Sequence, residues 1–315
     1  MQFEPVAFDS MGVKSSCFLI EAGNDRLIVD PGVSIESDSF PLSESRRLYL
    51  RSTMNHKVKK KAKTADAAVI SHYHYDHYTQ EPDRKVYGRK ELYVKHPEQD
   101  INDEQRERAV TLLDEVEDVA DQIEYADGRS FYFDAFSLKF GDPFWHGAAN
   151  TGMGQVIPLV VEENASGRKL LYTSDMDGPV EDEATQWIID EEPDVLVLNG
   201  APTYMLDFVL DYEEYAKAVL NLVDIIEEVT PSKIILDHHL LRDYRYEDLY
   251  RVAFEAANAN GVTMHTAAEE QGDQPKVREA YQENGGTKWS DWPRPSHNQL
   301  ERLASGEGPD DVFRA

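Results

Sequence analysis

The chain has 315 residues, 60 acidic and 32 basic, for a formal charge of −28, with 41% hydrophobic residues and one cysteine, Cys17. This supplies ample material for a core, but it excludes an intramolecular disulfide and a sulfur-rich zinc or iron–sulfur site. The apolar runs VIPLV, VLVLN and KIIL are too short to cross a membrane, and the strong self-repulsion, which salt relieves, points to a halophilic cytoplasmic protein.

MQFEPVAFDS has neither a basic start nor an apolar stretch, so no signal peptide is expected. QFEPVAF, KSSCFLIEAG and RLIVDPG read as an antiparallel meander with a turn at Asn24-Asp25. Residues 33–55 lack a firm period and read as a loop with a short helix that overhangs the site. Residues 57–66 read as a helix feeding the strand AAVI. Five lysines fall in its seven positions Lys57 to Lys63, either as an exposed helix end that complements the dipole or as a patch that draws an anionic substrate.

Directly after AAVI comes Ser71-His72-Tyr73-His74-Tyr75-Asp76-His77. Imidazole and carboxylate are good ligands for zinc and its neighbours, and four such groups in six positions outweigh the reading as a polar loop. Alternation points His72 and His74 to one side of an extended segment, whereas Asp76 and His77 serve a second centre if the chain turns. Of the three tyrosines, Tyr73, Tyr75 and Tyr78, some pack against the sheet and some line the pocket.

KVYG and LYVK read as short strands, and residues 101–123 as a long helix with Val110, Leu113, Val116 and Val119 on its apolar face. Asp127-Gly128 marks a turn. FYFDAFSLKFG, QVIPLVVEE and RKLLYTSD are strands, with Asn164-Ala165-Ser166 as a hairpin loop. The helix EDEATQWIIDE leads into VLVLNG. Helices over about 211–229 and 244–259 precede KIILDHH and VTMHTA. No Gly-rich phosphate loop is present, since GMG at 152–154 has the wrong spacing. Residues 1–295 form the domain and 296–315 an acidic tail, mobile or lightly packed from Ser305 onward.

Further ligand-type residues stand where apolar strands give way to turns: Asp30, Asp175, His238 and His239, with His146 in the loop DPFWHGAANTG. Strand-end loops gathered at one sheet edge can meet in space. His238 and His239 cannot both follow one strand direction, so at least one has another task.

VDPG at 29–32, SHYHYDH at 71–77, HGAANTG at 146–152, YTSD at 172–175 and LDHH at 236–239 occur in the order of the metallo-β-lactamase-fold hydrolases. The chain resembles that superfamily over nearly all of residues 1–290, and within it an archaeal group assigned as metal-dependent hydrolases, an assignment that names no substrate. The resemblance implies an α/β, four-layer αβ/βα fold of two mixed sheets packed face to face with outer helices. It implies two divalent metal ions, zinc first and manganese or iron as alternatives. His72, His74 and His146 would hold one, and Asp76, His77 and His238 the other. Asp175 would bridge them and Asp30 would support the site. His239 becomes a pocket residue able to act as an acid, and Asp76 orients the nucleophile, a hydroxide between the metals. His74 keeps the hydrolase pattern, since the flavin-linked redox members carry a carboxylate within that motif.

The expected substrate is a small or phosphorylated molecule. A phosphodiester would use the lysine run, Arg242 and Arg245 as anchors. A carboxylic ester, thioester or lactone would instead use a smaller pocket lined by Phe144, Trp145 and the loop tyrosines. RNA ends or small cyclic phosphates are compatible, but the acidity disfavours long RNA or DNA. A metal-stabilised binding module without catalysis is the remaining class.

Overall fold

A computed structural model describes residues 1–80, 84–284 and 294–313. The first half forms a six-stranded sheet in sequential order: β1 (Gln2–Phe8), β2 (Ser16–Ala22), β3 (Asp25–Val29), β4 (Ala67–Ile70), β5 (Glu91–Val94) and β6 (Gln122–Tyr125). The meander β1 to β3 is antiparallel. From β3 to β6 the strands run parallel, with α1 (Glu44–Ala62) and α2 (Asp103–Val116) as crossovers.

The second half begins with β7 (Ser130–Tyr132) and β8 (Phe136–Phe140), followed by the small pair β9 (Phe144–Trp145) and β10 (Gln155–Val156). β11 (Leu159–Glu163), β12 (Lys169–Tyr172), β13 (Val195–Asn199), β14 (Lys233–Asp237) and β15 (Thr263–His265) complete a seven-stranded sheet, ordered β15-β14-β13-β12-β11-β8-β7. α3 (Asp182–Glu191), α4 (Tyr212–Val229), and α5 (Tyr246–Leu249) with α6 (Arg251–Ala259) make the parallel crossovers from β12 to β15.

Period-two alternation sorts the strand side chains into three cores. Phe18, Ile20, Leu27, Val29 and Val69 of the first sheet meet Leu138, Leu159, Val161, Leu170 and Val197 of the second. Their neighbours Cys17, Leu19, Ile28, Ala68 and Ile70 face the helical residues Leu50, Val58, Ala109 and Leu112. Leu171, Leu196, Leu198, Ile234 and Leu236 face Ile188, Val219, Leu222 and Ile226. The result is helix, sheet, sheet, helix, the expected four-layer fold. Strands covered on both faces read as unbroken apolar runs, as VLVLN and KIIL do.

Several local expectations are corrected. The helix before AAVI begins at Glu44, where Ser43 caps it through Arg46 N, so much of the expected loop is α1. KVYG lies in a 3-10 turn, Arg84–Tyr87. The long helix stops at Val116, and Gln122 and Ile123 belong to β6. Its buried face is Gln105, Ala109, Leu112 and Val116, while Val110 is half exposed. After α7 (Ala267–Glu270) and α8 (Lys276–Asn284), the expected acidic tail contains α9 (His297–Ala304). Ser296 and Gln299 close a capping box there, and Leu300, Leu303 and Val312 are buried in the core beside α4. Hydrophobic spacing within an acidic stretch outweighs its charge.

The lysine run ends α1 just before β4 starts, so it lies at the sheet edge opposite the histidine loop. Lys57 donates to Gln271 Oε1 and Lys61 pairs with Glu4 at 2.6 Å. It anchors no substrate at the histidine loop.

Candidate metal centre

Parallel strands place their carboxyl ends on one edge, and β3, β4, β12, β13 and β14 all deliver polar residues there. Asp30 follows β3 and His72 to His77 follow β4. Asp175 follows β12, Asn199 ends β13, and His238 and His239 follow β14. Gly32 admits the histidine loop: a Cβ there would lie 2.2 Å from Tyr78 N and 2.6 Å from Asp76 C. Asp30, Ser174, Asp177 and His238 all have positive φ, between 44° and 59°. Such backbone strain collects where surrounding structure fixes functional groups.

One oxygen organises the cluster. Asp175 Oδ2 is buried without a hydrogen-bond partner. His77 Nε2 lies 3.1 Å from it, His146 Nε2 3.2 Å, His72 and His238 Nε2 3.5 Å each, and His239 Nε2 3.8 Å. His74 joins through Nδ1, 3.0 Å from His72 Nε2. His77, His146 and His238 Nε2 also lack partners. Buried polar atoms are rarely left unpaired, and these are nitrogen and carboxylate donors of the kind zinc and iron take. They fit metal ions. Among the described residues they form three overlapping groups: His72, His74, His146 and Asp175; Asp76, His77 and His238; and Asp175, His238 and His239. The donor atoms of each lie within 4.8 Å of one another.

The sequence reading separates His238 from His239, but the structure brings both to Asp175. An extended chain would point neighbours apart; φ of 59° at His238 bends it so that both rings turn inward, 4.2 Å apart and nearly stacked.

The far nitrogens of four imidazoles are held by carboxylates, which orient a ligand and raise its basicity. Asp30 accepts from His77 Nδ1 at 2.8 Å, and also from Ser71 N, Ser71 Oγ and Tyr172 OH. Asp9 Oδ1 is 2.9 Å from His238 Nδ1. Asp177 serves two rings, His239 Nδ1 at 2.7 Å and His146 Nδ1 at 3.5 Å. Asn199 Nδ2 donates to Asp175 Oδ1 at 2.7 Å, leaving Oδ2 free. Asp9, Asp177 and Asn199 are missed by the sequence reading. Asp177, two residues beyond Asp175 in SDMDG, and Asn199, at the end of the apolar run VLVLN, carry a visible signal; Asp9 carries none.

Burial holds the His72 imidazole well below its usual range, and burial together with His146 brings His74 down to about 3, so both favour the neutral ligand form. Burial opposes the charge of His77, but Asp175 and Asp30 outweigh it and hold that group at about 10. Asp175 and Asp177 do the same for His146, also at about 10. A metal ion bound there would displace protons from these two rings.

Arg242 is also here. Its Nε donates to Asp9 and its Nη1 to Tyr204 OH at 3.0 Å, while Nη2 lacks a hydrogen-bond partner and lies 3.8 Å from Asp76 Oδ2. Arg245 and Trp145 do not join it. Arg245 is buried in a two-point pair with Asp243, and Trp145 lines a separate hollow with Phe144 and Trp187. Tyr73 and Tyr78 are buried, whereas Tyr75 reaches the cleft under Arg108, 4.1 Å from ring centre to guanidinium.

Behind Arg242 lies Glu36, 1% exposed, with neither carboxylate oxygen hydrogen-bonded. Burial, then the charge of Asp9, pushes its carboxyl from 4.5 up to about 7, against the pull of Arg242. A raised folded-state value means the unfolded chain ionises first, so this group's contribution to stability is lost as pH rises from 4.5 to 7. Urea unfolding across this window is expected to show that fall in the wild type and a flatter profile in Glu36→Gln. Parallel profiles would refute the assignment.

Two mixed sheets with a histidine and aspartate cluster at their shared edge define a metallo-β-lactamase-fold protein with the ligand set of a metal-dependent hydrolase. The family model described as the beta-lactamase superfamily domain matches residues 13–235. The chain belongs to the archaeal UPF0282 family of that superfamily: it is 34% identical over 295 residues to the UPF0282 protein of Methanopyrus kandleri, covering 90% of this chain and 98% of that one. It is 33% identical over 297 residues to the UPF0282 protein of Methanocaldococcus jannaschii, covering 89% and 95%. Among solved structures, CmlA, a diiron beta-hydroxylase from Streptomyces venezuelae, superposes with a TM-score of 0.50 at 11% identity, over 84% of this chain and 52% of that one. That likeness concerns the fold alone. No helix among the described residues is long and apolar enough to cross a membrane.

Proposed function

We propose that the protein hydrolyses a phosphodiester or another small phosphorylated ester, with two metal ions held by His72, His74, His146 and by Asp76, His77, His238, and with Asp175 between them. The observation that carries this is the unpartnered Asp175 Oδ2 facing five imidazole nitrogens. Divalent cations held there, zinc first and manganese or iron as alternatives, would lower the pKa of a water and polarise the phosphoryl oxygen.

The protein's own groups do the rest. Arg242 Nη2 offers a donor to a non-bridging phosphate oxygen. Asp76 orients the attacking water. His239, pushed towards its neutral form by burial and steadied at Nδ1 by Asp177, takes a proton from the attacking water and gives it to the departing oxygen. A new P–O bond forms to the water oxygen, the P–O bond to the alcohol breaks, and the alcohol leaves protonated.

Bis-p-nitrophenyl phosphate, a thioester and a lactone, each assayed in high salt with Zn²⁺ or Mn²⁺, test this. Phosphodiester turnover that disappears in His74→Ala supports it. Lactone or thioester turnover with an inert phosphodiester overturns it. Arg242→Lys keeps the charge beside Asp9 but loses the fork, so KM for the phosphodiester is expected to rise about 10- to 100-fold, the worth of a charged hydrogen bond, with a smaller change in kcat. An unchanged KM would remove Arg242 from substrate binding.

The halophilic, cytoplasmic reading is part of the same proposal and is supported by the excess of 60 acidic over 32 basic residues. The unfolding midpoint is expected to rise between about 0.1 M and about 3 M KCl, beyond the range where screening saturates; a level or falling midpoint would oppose it.

A further inference from the structure

The cleft above the ligand cluster has a volume of about 390 Å³, at the small end of pockets that enclose organic molecules. Lys14, Arg108 and Arg242 share its lining with Asp76, Asp177 and Glu214; Arg108 is paired with Glu104, whereas Arg242 Nη2 has no hydrogen-bond partner. The segment 202–210 supplies something different. Its lining residues are Pro202, Tyr204, Met205, Val209 and Leu210, and the one polar side chain among them, Tyr204, already accepts from Arg242 Nη1. A sugar or a nucleobase would find little there to hydrogen-bond.

This wall is built, not frayed. Leu206 and Leu210 are buried, and Phe208 N to Met205 O at 3.0 Å and Asp207 N to Leu210 O at 2.9 Å close the segment as a turn. Between those anchors Phe208 is 84% exposed and Val209 62%. Isolated apolar residues in water need no explanation. Here one of them continues into the lining of the cleft that holds the metal ligands, and an apolar surface joined to a site marks what the site receives.

We infer that the substrate is amphiphilic: an anionic ester head held at Arg242, joined to a hydrocarbon portion of several carbons that lies along Met205, Val209 and Leu210. This rests on the reading of the site as a hydrolase of anionic esters and adds the nature of the group that is not cleaved. The head meets cation and metal ligands, while the chain leaves water for thioether and aliphatic surface.

Calorimetric binding of methyl-, butyl- and octylphosphonate to the metal-loaded protein tests the inference without turnover, because the C–P bond is not hydrolysed. Affinity is expected to rise about fourfold for each of the first methylenes, the factor that burying a CH₂ provides. Val209→Asn and Met205→Gln are expected to flatten the series; Val209 is largely exposed, so its exchange spares the core. Equal affinities along the wild-type series, or an unaltered gradient in both variants, would overturn it. The matching 4-nitrophenyl alkyl phosphodiesters separate the two claims. An affinity gradient without their hydrolysis removes the hydrolase reading and keeps the amphiphile, and hydrolysis without a gradient does the reverse.

Discussion

Asp175→Asn is expected to bind fewer than two metal ions and to lose about 10³-fold or more in turnover, since metal assistance is worth several kcal/mol and each factor of ten about 1.4 kcal/mol. The amide keeps the shape of the carboxylate, so the fold should survive. What changes is the charge at the atom that five imidazole nitrogens face at 3.1 to 3.8 Å. An amide nitrogen turned inward would present hydrogens where a cation would sit among the ring nitrogens; an amide oxygen turned inward is a poorer partner for a cation. Metal content after dialysis and kcat on the phosphodiester measure the two effects. Retention of both ions with turnover within about tenfold of wild type would show that Asp175 is not the bridge.

The second large effect is on folding. Asp30→Ala removes a fully buried carboxylate that accepts from Ser71 N at 2.8 Å, Ser71 Oγ at 2.6 Å, Tyr172 OH at 2.7 Å and His77 Nδ1 at 2.8 Å. Donors from both sheets lose their acceptor together, and breaking a buried charged pair costs about 3–5 kcal/mol. Alanine is also poorly suited to the φ of 44° at this position. Urea unfolding of the metal-free protein isolates this cost from any loss of bound ion. A decrease below about 1 kcal/mol would mean that water enters and satisfies the donors.

Part of this arrangement is legible in the sequence for a geometric reason. The ligands stand where apolar strands end, and parallel strands must end on one edge, so Asp30, His72, Asp175 and His238 were visible as a set. The same rule failed at His239, because it assumes an extended backbone and His238 is left-handed. Hydrophobic spacing fails in its own way for α2, where Gln105 takes an inward position that it assigns to an apolar residue. Its amide accepts from Tyr73 N and donates to Met153 O, holding the histidine loop against the loop after His146. Asp9 had no local signal at all, for its partner His238 lies 229 residues away. Arg245 and Trp145 have side chains suited to a substrate pocket, but residue type does not fix which way a side chain turns: one pairs with Asp243 and the other lines a separate hollow.

The cluster draws His72, His74, Asp76 and His77 from the first sheet, and His146, Asp175, His238 and His239 from the second half. Ser71 Oγ lies 2.7 Å from Ser174 Oγ across the join. Neither half alone presents a complete coordination set. Metal capture should therefore come late in maturation, after the halves dock, and scarce metal would leave a folded apoprotein awaiting its ions rather than a chain unable to begin folding.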